Sequence, residues 1–128
     1  MSKTFFIADD DADDHDFFMD ALKAVCATCT LLQAYNGEEA LDFLDKQLEV
    51  PDFIFLDLNM PKLSGKQCLK EIKNNAKLRD VPVIIYTTST VQTDKDETLH
   101  LGAAQYLVKP TSLQTLKQEL VSLMQRTA

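Results

Sequence analysis

The stretch FFIADDDADDHDFF, residues 5–18, places six aspartates in the eight positions from 9 to 16, directly after an apolar run. Carboxylates this close repel one another, so the sequence raises the question of which positive charge opposes them. The candidates are a bound cation, a cluster of lysines, a helix N-terminus and water. The answer for each aspartate decides how this segment folds and what it does.

The composition is typical of one globular domain. The chain has 128 residues, of which 45% are hydrophobic and 26% are charged, so we predict a single domain over residues 1–128. No apolar stretch approaches the roughly 20 residues that span a bilayer, and no signal peptide is evident, so we expect a cytoplasmic protein. The net charge of −7 and the scattered basic residues argue against direct binding to nucleic acid or membranes.

The cysteines suggest neither a metal site nor a redox motif. Cys26 and Cys29 have C-x-x-C spacing, but zinc needs two more ligands, and His15 and His100 are isolated. A redox motif would open a helix, whereas this pair follows the predicted end of one. We therefore interpret the cysteines as small, partly buried side chains.

Short apolar runs alternate with amphipathic segments along the whole chain. We predict strands at 4–8, 30–35, 53–56, 83–86 and 105–108. We predict helices from about 13, over 38–47, from 64–65, over about 93–101 and over 113–124. The inner face of the second helix is predicted to carry Ala40, Leu41, Leu44 and Leu48.

Near-continuous apolar strands joined by short connections indicate a parallel sheet covered on both faces. The predicted fold class is therefore α/β. We expect a doubly wound (βα)5 three-layer sandwich with a parallel five-stranded sheet and the flavodoxin-like strand order 2-1-3-4-5.

Polar residues follow four of the predicted strands. Asp9 and Asp10 come after the first strand, Asp57 after the third, Thr87 after the fourth and Lys109 after the fifth. Ligands of open parallel sheets bind at the carboxyl ends of the strands. The fold is thus expected to bring carboxylates, a hydroxyl and an ammonium to one edge.

An EF-hand would also place aspartates at alternate positions, as at Asp9, Asp11 and Asp13. That loop requires glycine where the chain has Asp14 and glutamate where it has Asp20, and it joins two helices rather than a strand and a helix. We therefore reject EF-hand calcium.

The remaining aspartates divide into two groups. Four of the six aspartates lie at or near the predicted start of the first helix, where negative charge complements the helix macrodipole. We interpret them as solvated charge; they are Asp11, Asp13, Asp14 and Asp16. The other two, Asp9 and Asp10, are expected to lie next to Asp57 at the sheet edge. Three carboxylates this close are all ionised only if a hard cation binds between them. Oxygen ligands with few protein contributors favour Mg²⁺.

Several motifs resemble the receiver domain of two-component response regulators. They are IADD at 7–10, FLDLNMPKLSG at 55–65, PVIIYTT at 82–88 and LVKP at 107–110, the last within GAAQYLVKP at 102–110. The motifs occur in the right order, and the resemblance covers essentially the whole chain.

The resemblance implies that Asp57 is the phosphoacceptor, a carboxylate nucleophile that takes a phosphoryl group from a histidine kinase or phosphotransfer protein. It also implies a Mg²⁺ ion bound by the side chains of Asp10 and Asp57 and by the backbone carbonyl of Asn59. Asp9 would bind this ion directly or through water.

The resemblance also implies roles at the other strand ends. Lys109 would hold the phosphoryl oxygens, Thr87 would donate its hydroxyl to the phosphoryl group, and Tyr106 resembles the aromatic switch residue. The Lys109–Pro110 bond would be cis. Gly65 would shape the loop after the phosphoacceptor.

A receiver of this kind would catalyse only its own phosphorylation and dephosphorylation, so we do not expect an enzyme in the wider sense. We expect it to switch a surface formed by helix 4, strand 5 and helix 5 and to signal to a protein partner, as a monomer or a weak phosphorylation-linked dimer. The acidic run is similar to that of a subgroup that includes receivers paired with phytochrome-type kinases.

Two other functions fit these residues less well. A phosphatase that forms an aspartyl-phosphate, of the haloacid dehalogenase type, requires D-x-D, whereas Asp57 is followed two residues later by Asn59, and the chain has no room for a cap domain. A flavodoxin-like cofactor module would carry a phosphate-binding loop after the first strand, where this chain has aspartates that would repel phosphate.

Overall fold

The computed structural model describes residues 2–126, and strands and helices alternate through all of them. The strands are β1 Thr4–Ala8, β2 Thr30–Ala34, β3 Phe53–Leu56, β4 Val83–Thr87 and β5 Gln105–Val108. The helices are α1 Ala12–Val25, α2 Gly37–Lys46, α3 Gly65–Asn74, α4 Gln92–His100 and α5 Leu113–Arg126.

The strands form one parallel sheet in the order β2-β1-β3-β4-β5, which confirms the predicted fold class and strand order. At the carboxyl ends, Ala8 of β1 is paired with Ala34 on one side and with Leu56 on the other. The first residues after β1 and β3 therefore lie side by side, because paired parallel strands end at the same edge. The prediction of one domain over 1–128 includes residues 1, 127 and 128, which lie outside the described part.

Alternate residues of β1 point into two separate cores, one on each face of the sheet. Phe5 and Ile7 belong to the core that includes side chains of α1 and α5, with Phe18 among them. Phe6 and Ala8 belong to the core that includes side chains of α2 and α3. Both faces are therefore covered, which explains why the strands are apolar at nearly every position.

Capping side chains determine where α1 and α3 begin. Asp11 caps α1 by accepting a hydrogen bond from the amide of Asp13 at 2.9 Å, which is why the helix begins at Ala12, one residue before the predicted start. Ser64 and Gln67 form a reciprocal capping box at the start of α3. By contrast, Val91 at the N-cap of α4 provides no side-chain hydrogen bond.

One core prediction is wrong. Leu48 was assigned to the inner face of α2, but its side chain is fully exposed. The helix ends at Lys46, and Gln47 is already extended at its C-cap, so the 3.6-residue period no longer positions residue 48. The other predicted inner residues of this helix lie in or against the core.

The prediction for the cysteines is also wrong in part. Cys26 and Cys29 form a disulfide, whereas Cys68 is a free thiol and is completely buried. Helix α1 ends at Cys26 with an extended backbone, and the turn that follows brings the two Cα atoms to 5.4 Å, which is within disulfide reach. The spacing alone did not reveal this turn.

Gly65 fixes the distance between α3 and the end of β3. A Cβ atom at this position would lie 2.1 Å from the backbone oxygen of Asp57 and 2.7 Å from the Cα atom of Leu58. The Gly65 amide donates to the Leu58 carbonyl at 3.0 Å, which holds the two segments at this separation. Only glycine permits the helix to begin so close to the strand end.

We expect Gly65→Ala to lower the free energy of unfolding by about 1–3 kcal/mol, because the backbone must move to admit the methyl group. Gln67→Ala at the same helix end removes only the capping-box contact and should cost about 0.5–1.5 kcal/mol. Urea denaturation of both variants measures the difference. If Gly65→Ala costs no more than Gln67→Ala, the close approach does not constrain the fold.

Candidate functional site

The structure places the predicted site residues together at the carboxyl edge of the sheet. Asp9 follows β1, Asp57 follows β3, Thr87 ends β4 and Lys109 follows β5. Asp9 and Thr87 are completely buried, and Asp57 is 6% exposed. The predicted convergence of carboxylates, hydroxyl and ammonium is present.

The ammonium of Lys109 lies at the centre of this arrangement. Its Nζ atom lies 2.8 Å from Asp9 Oδ2 and 3.1 Å from Asp57 Oδ2, and the side chain is only 9% exposed. Burial by itself lowers the pKa of Lys109. Hydrogen bonds to Asp14 and Asp9 and the charge of Asp57 outweigh burial, so the pKa lies above its ordinary value and the ammonium stays charged.

The expected cis peptide bond before Pro110 is absent, since every described peptide bond is trans. The amide of Lys109 donates to the Thr87 carbonyl at 2.7 Å and continues the pairing of β5 with β4. With this pairing, the Lys109 ammonium contacts the carboxylates while the Lys109–Pro110 peptide bond is trans. The trans isomer is favoured by about 0.5–1 kcal/mol.

Asp9, Asp10 and Asp57 can bring one carboxylate oxygen each to within 4.8 Å of one another. Burial raises the pKa of Asp9, although hydrogen bonds from Lys109 and from the amide of Asp11 and the charge of Lys109 oppose the shift. Asp9 Oδ2 is buried and lacks a well-directed hydrogen bond, although the ammonium is close to it.

A hard divalent cation fits this group of oxygens. It would offset the burial of the Asp9 carboxylate and would give Asp9 Oδ2 a partner. Asp10 is exposed and accessible to such an ion. The Asn59 amide lies 3.4 Å from Asp57 Oδ1, which keeps the following loop close to the acceptor carboxylate.

The interpretation of Asp14 as solvated charge is wrong. Its Oδ2 atom lies 2.6 Å from Lys109 Nζ, the shortest of the three ion pairs of this lysine. The first turn of α1 stands over the same sheet edge, so Asp14 faces the site. Asp11, Asp13 and Asp16 are exposed, as expected.

Thr87 and Tyr106 are joined through Ser89. The Ser89 amide donates to Thr87 Oγ1 at 3.3 Å, and the Tyr106 hydroxyl donates to the Ser89 carbonyl at 2.9 Å. Tyr106 is half-buried and packs against the core on the α2–α3 side of the sheet. The two residues that the resemblance assigned to switching therefore share one contact segment.

The same segment is fixed to two helices by polar contacts. Ser89 Oγ donates to Asp94 Oδ2 of α4 at 2.7 Å, and Lys66 of α3 lies 2.7 Å from Asp94 Oδ1 and 3.1 Å from Glu97 Oε2. The hydrogen bond from Lys66 lowers the pKa of Asp94. Thr98 is the only buried residue of α4, so apolar packing holds this helix weakly and the polar contacts contribute to its attachment.

His15 is a site residue that the sequence analysis missed. It is buried, its Nε2 donates to the Asp9 carbonyl at 2.8 Å, and its Nδ1 accepts from Gln33 Nε2 at 3.0 Å. Its ring stacks on Tyr35 with centroids 4.1 Å apart. His15 lies three residues before Phe18 on the inner face of α1, and this spacing was the available signal.

Comparison with solved structures supports the fold over nearly the whole chain. The phosphorylated cyanobacterial phytochrome response regulator RcpA gives a TM-score of 0.86 at 28% identity, covering 96% of this chain and 91% of that one. The Mn²⁺-bound form of response regulator Rcp1 gives a TM-score of 0.83 at 30% identity, covering 94% of this chain and 91% of that one.

The curated relatives differ in how much of their length this chain covers. Response regulator Rcp1 of Synechocystis sp. is 33% identical over 119 residues, which is 89% of this chain and 81% of that protein. Sensor histidine kinase CheAY of Helicobacter pylori is 35% identical over 83 residues, or 65% of this chain. The chain spans only 10% of that kinase and 36% of the probable transcriptional regulator ycf27 of Guillardia theta.

No helix in the described residues 2–126 is long and apolar enough to cross a membrane. The family model for the response regulator receiver domain matches residues 5–121, which confirms the resemblance recognised in the sequence. Together with the strand order and the acidic strand ends, this match identifies the chain as a member of the response regulator receiver domain family.

Proposed function

We propose that Asp57 accepts a phosphoryl group from a histidine kinase or phosphotransfer protein. The observation that supports this proposal is the position of the Lys109 ammonium, 3.1 Å from Asp57 Oδ2. It lies beside a cluster of three carboxylates that suits a divalent cation. An Asp57 oxygen attacks phosphorus, a P–O bond to Asp57 forms, and the P–N bond to the donor imidazole breaks. The electron pair of that bond stays on the imidazole nitrogen.

Mg²⁺ is the proposed cofactor, and when bound it neutralises charge on the phosphoryl oxygens. The side chains of Asp10 and Asp57 and the Asn59 carbonyl would hold it, with Asp9 contributing directly or through water. A Mn²⁺-bound form of the similar regulator Rcp1 supports the proposal that a divalent ion binds to this chain. We favour Mg²⁺ because the ligands are all oxygens and few come from protein.

Phosphorylation is proposed to move the surface of α4, β5 and α5. A phosphoryl group on Asp57 would attract the Thr87 hydroxyl, and the Ser89 segment would pass that movement to Tyr106. A ligand shifts a two-state equilibrium only through contacts that differ between the states, and Thr87 supplies such a contact.

The remaining features follow from this function. The protein would act in the cytoplasm and signal to a protein partner, as a monomer or a weak phosphorylation-linked dimer. It would catalyse only its own phosphorylation and dephosphorylation. A phosphatase that forms an aspartyl-phosphate is the alternative, and the absence of a carboxylate at Asn59 disfavours it.

The first prediction concerns the acceptor. Incubation with acetyl phosphate and Mg²⁺ should add one phosphate, which intact-mass analysis detects, because the small donor supplies the same phosphoryl group. The adduct should be absent in Asp57→Asn and should persist in Asp20→Asn, which changes the same charge at an exposed position of α1. Chelation of the metal should suppress it. An equal yield in Asp57→Asn would disprove the assignment.

The second prediction concerns the switch. Amide exchange with and without beryllofluoride, a phosphoryl mimic, should differ across residues 88–106, because Ser89 connects Thr87, Tyr106 and α4. No change in this range would show that the proposed path is wrong.

A pair of variants sharpens this test. Asp94→Ala removes the contacts that Asp94 makes with Ser89 and Lys66, leaves the Glu97–Lys66 ion pair, and should speed exchange in α4 before any ligand is added. Asp96→Ala is the control, since that carboxylate contacts Gln92 within the same helix. Equal effects of the two substitutions would mean that the contacts to Ser89 and Lys66 do not hold α4.

The third prediction concerns how long the phosphoryl group persists. Asn59 and Ser89 lie two residues after Asp57 and Thr87, both are small, and the Ser89 hydroxyl is turned toward Asp94. Neither excludes water, so the phosphoprotein should decay over minutes rather than many hours, as phosphate release will show. A bulky side chain at position 59 should slow the decay, whereas Thr88→Ala should change it modestly. Persistence for a day with Mg²⁺ present would contradict an open site.

A further inference from the structure

The closest partner of Lys109 comes from α1 and not from a strand end. Its Nζ atom lies 2.6 Å from Asp14, 2.8 Å from Asp9 and 3.1 Å from Asp57. The ammonium donates hydrogen bonds to Asp14 and Asp57, and it pairs with Asp9 without a well-directed hydrogen bond. Among the described residues, Lys109 forms ion pairs with these three carboxylates alone.

Asp14 lies on the lysine side of the site. The described group of oxygens that suits a cation contains Asp9, Asp10 and Asp57, but not Asp14. The Asp14 side chain is 29% exposed, whereas Asp9 is buried and Asp57 nearly so. Of the three partners of Lys109, Asp14 can therefore turn to water at the lowest cost.

A phosphoryl group on Asp57 adds negative oxygens that compete for the Lys109 ammonium. It carries about −2 charge on its oxygens, and those oxygens need the ammonium for neutralisation. Three carboxylates already lie within 3.1 Å of the ammonium, so the phosphoryl oxygens gain a place beside it only if one of these carboxylates withdraws. Asp9 is buried and belongs to the oxygens that suit a cation, and Asp57 carries the phosphoryl group, so Asp14 is the partner left to yield.

We propose that Asp14 is a positioning residue that holds Lys109 at the acceptor site and competes with the phosphoryl group for its ammonium. This inference rests on the function proposed above. In the unphosphorylated protein, Asp14 keeps the buried ammonium in place. When the phosphoryl group arrives, the Asp14 carboxylate turns to water, and its negative charge weakens the binding of the phosphoryl oxygens. Asp14 thereby sets how strongly the site retains a phosphoryl group.

The first measurement is the affinity for beryllofluoride at saturating Mg²⁺, by titration calorimetry. Asp14→Asn removes the competing charge and should tighten binding about three- to fivefold. Asp13→Asn is the matched control, because it removes the same charge from the same helical turn without touching Lys109, and its affinity should equal that of the wild type. Asp14→Glu retains the charge and should restore the wild-type affinity.

The second measurement needs neither the metal nor the phosphoryl mimic. The carbon-13 NMR signal of the Lys109 Cε atom should move in Asp14→Asn and stay in place in Asp13→Asn, because Asp14 contacts the ammonium and Asp13 does not. A signal that stays in place in both variants would show that Asp14 does not position Lys109. This arm reports on the contact itself and does not depend on the proposed function.

The outcomes separate the two proposals. Unchanged or weaker binding in Asp14→Asn, or an equal gain in Asp13→Asn, overturns the competition while the proposed function stands. A wild-type protein that binds no beryllofluoride with Mg²⁺ overturns the proposed function, and with it the competition. The NMR arm then still decides whether Asp14 positions the lysine.

Discussion

The ammonium of Lys109 holds the functional edge of this protein together. It is nearly buried and joins carboxylates from three parts of the chain: the end of β1, the first turn of α1 and the end of β3. Without it, Asp9 and Asp57 would face each other in a poorly solvated place, where like charges repel strongly. The ion pairs therefore connect the sheet edge to α1 as well as forming the site.

The charge at this edge is not balanced by the protein alone. Among the described residues, Asp9, Asp14 and Asp57 pair with the Lys109 ammonium and Asp10 lies beside Asp9 and Asp57, so carboxylates outnumber the ammonium at this edge. A divalent cation reduces that excess, and a phosphoryl group increases it again. Under the proposed function, the arrival of either group would therefore change the partners of Lys109.

The helix that the switch is proposed to move is held differently from the others. Helix α4 has no side-chain N-cap and buries only Thr98, whereas α3 has a capping box and buries several apolar side chains. Its contacts with Ser89 and Lys66 are polar and directional. Such contacts break with small displacements, because a hydrogen bond depends on geometry more steeply than apolar packing does. The attachment of α4 is therefore sensitive to movement near Thr87.

Apolar periodicity and short connections were enough to predict the layered fold, because they admit few arrangements of alternating strands and helices. The sequence also determined which residues end the strands, and parallel pairing then brings Asp9, Asp57, Thr87 and Lys109 to one edge. These features depend on local pattern and on the rule that parallel strands share a direction.

Tertiary structure alone decided which of these groups touch. Asp14 looked like its exposed neighbours in sequence, yet it pairs with a lysine 95 residues away. His15 supports the Asp9 carbonyl, and Cys26 joins Cys29 across a turn after α1. Such pairings depend on the position of a helix turn relative to the sheet edge and on the direction of the chain in a turn. The 3.6-residue period of a helix predicts which face a residue is on, but it does not predict these distances.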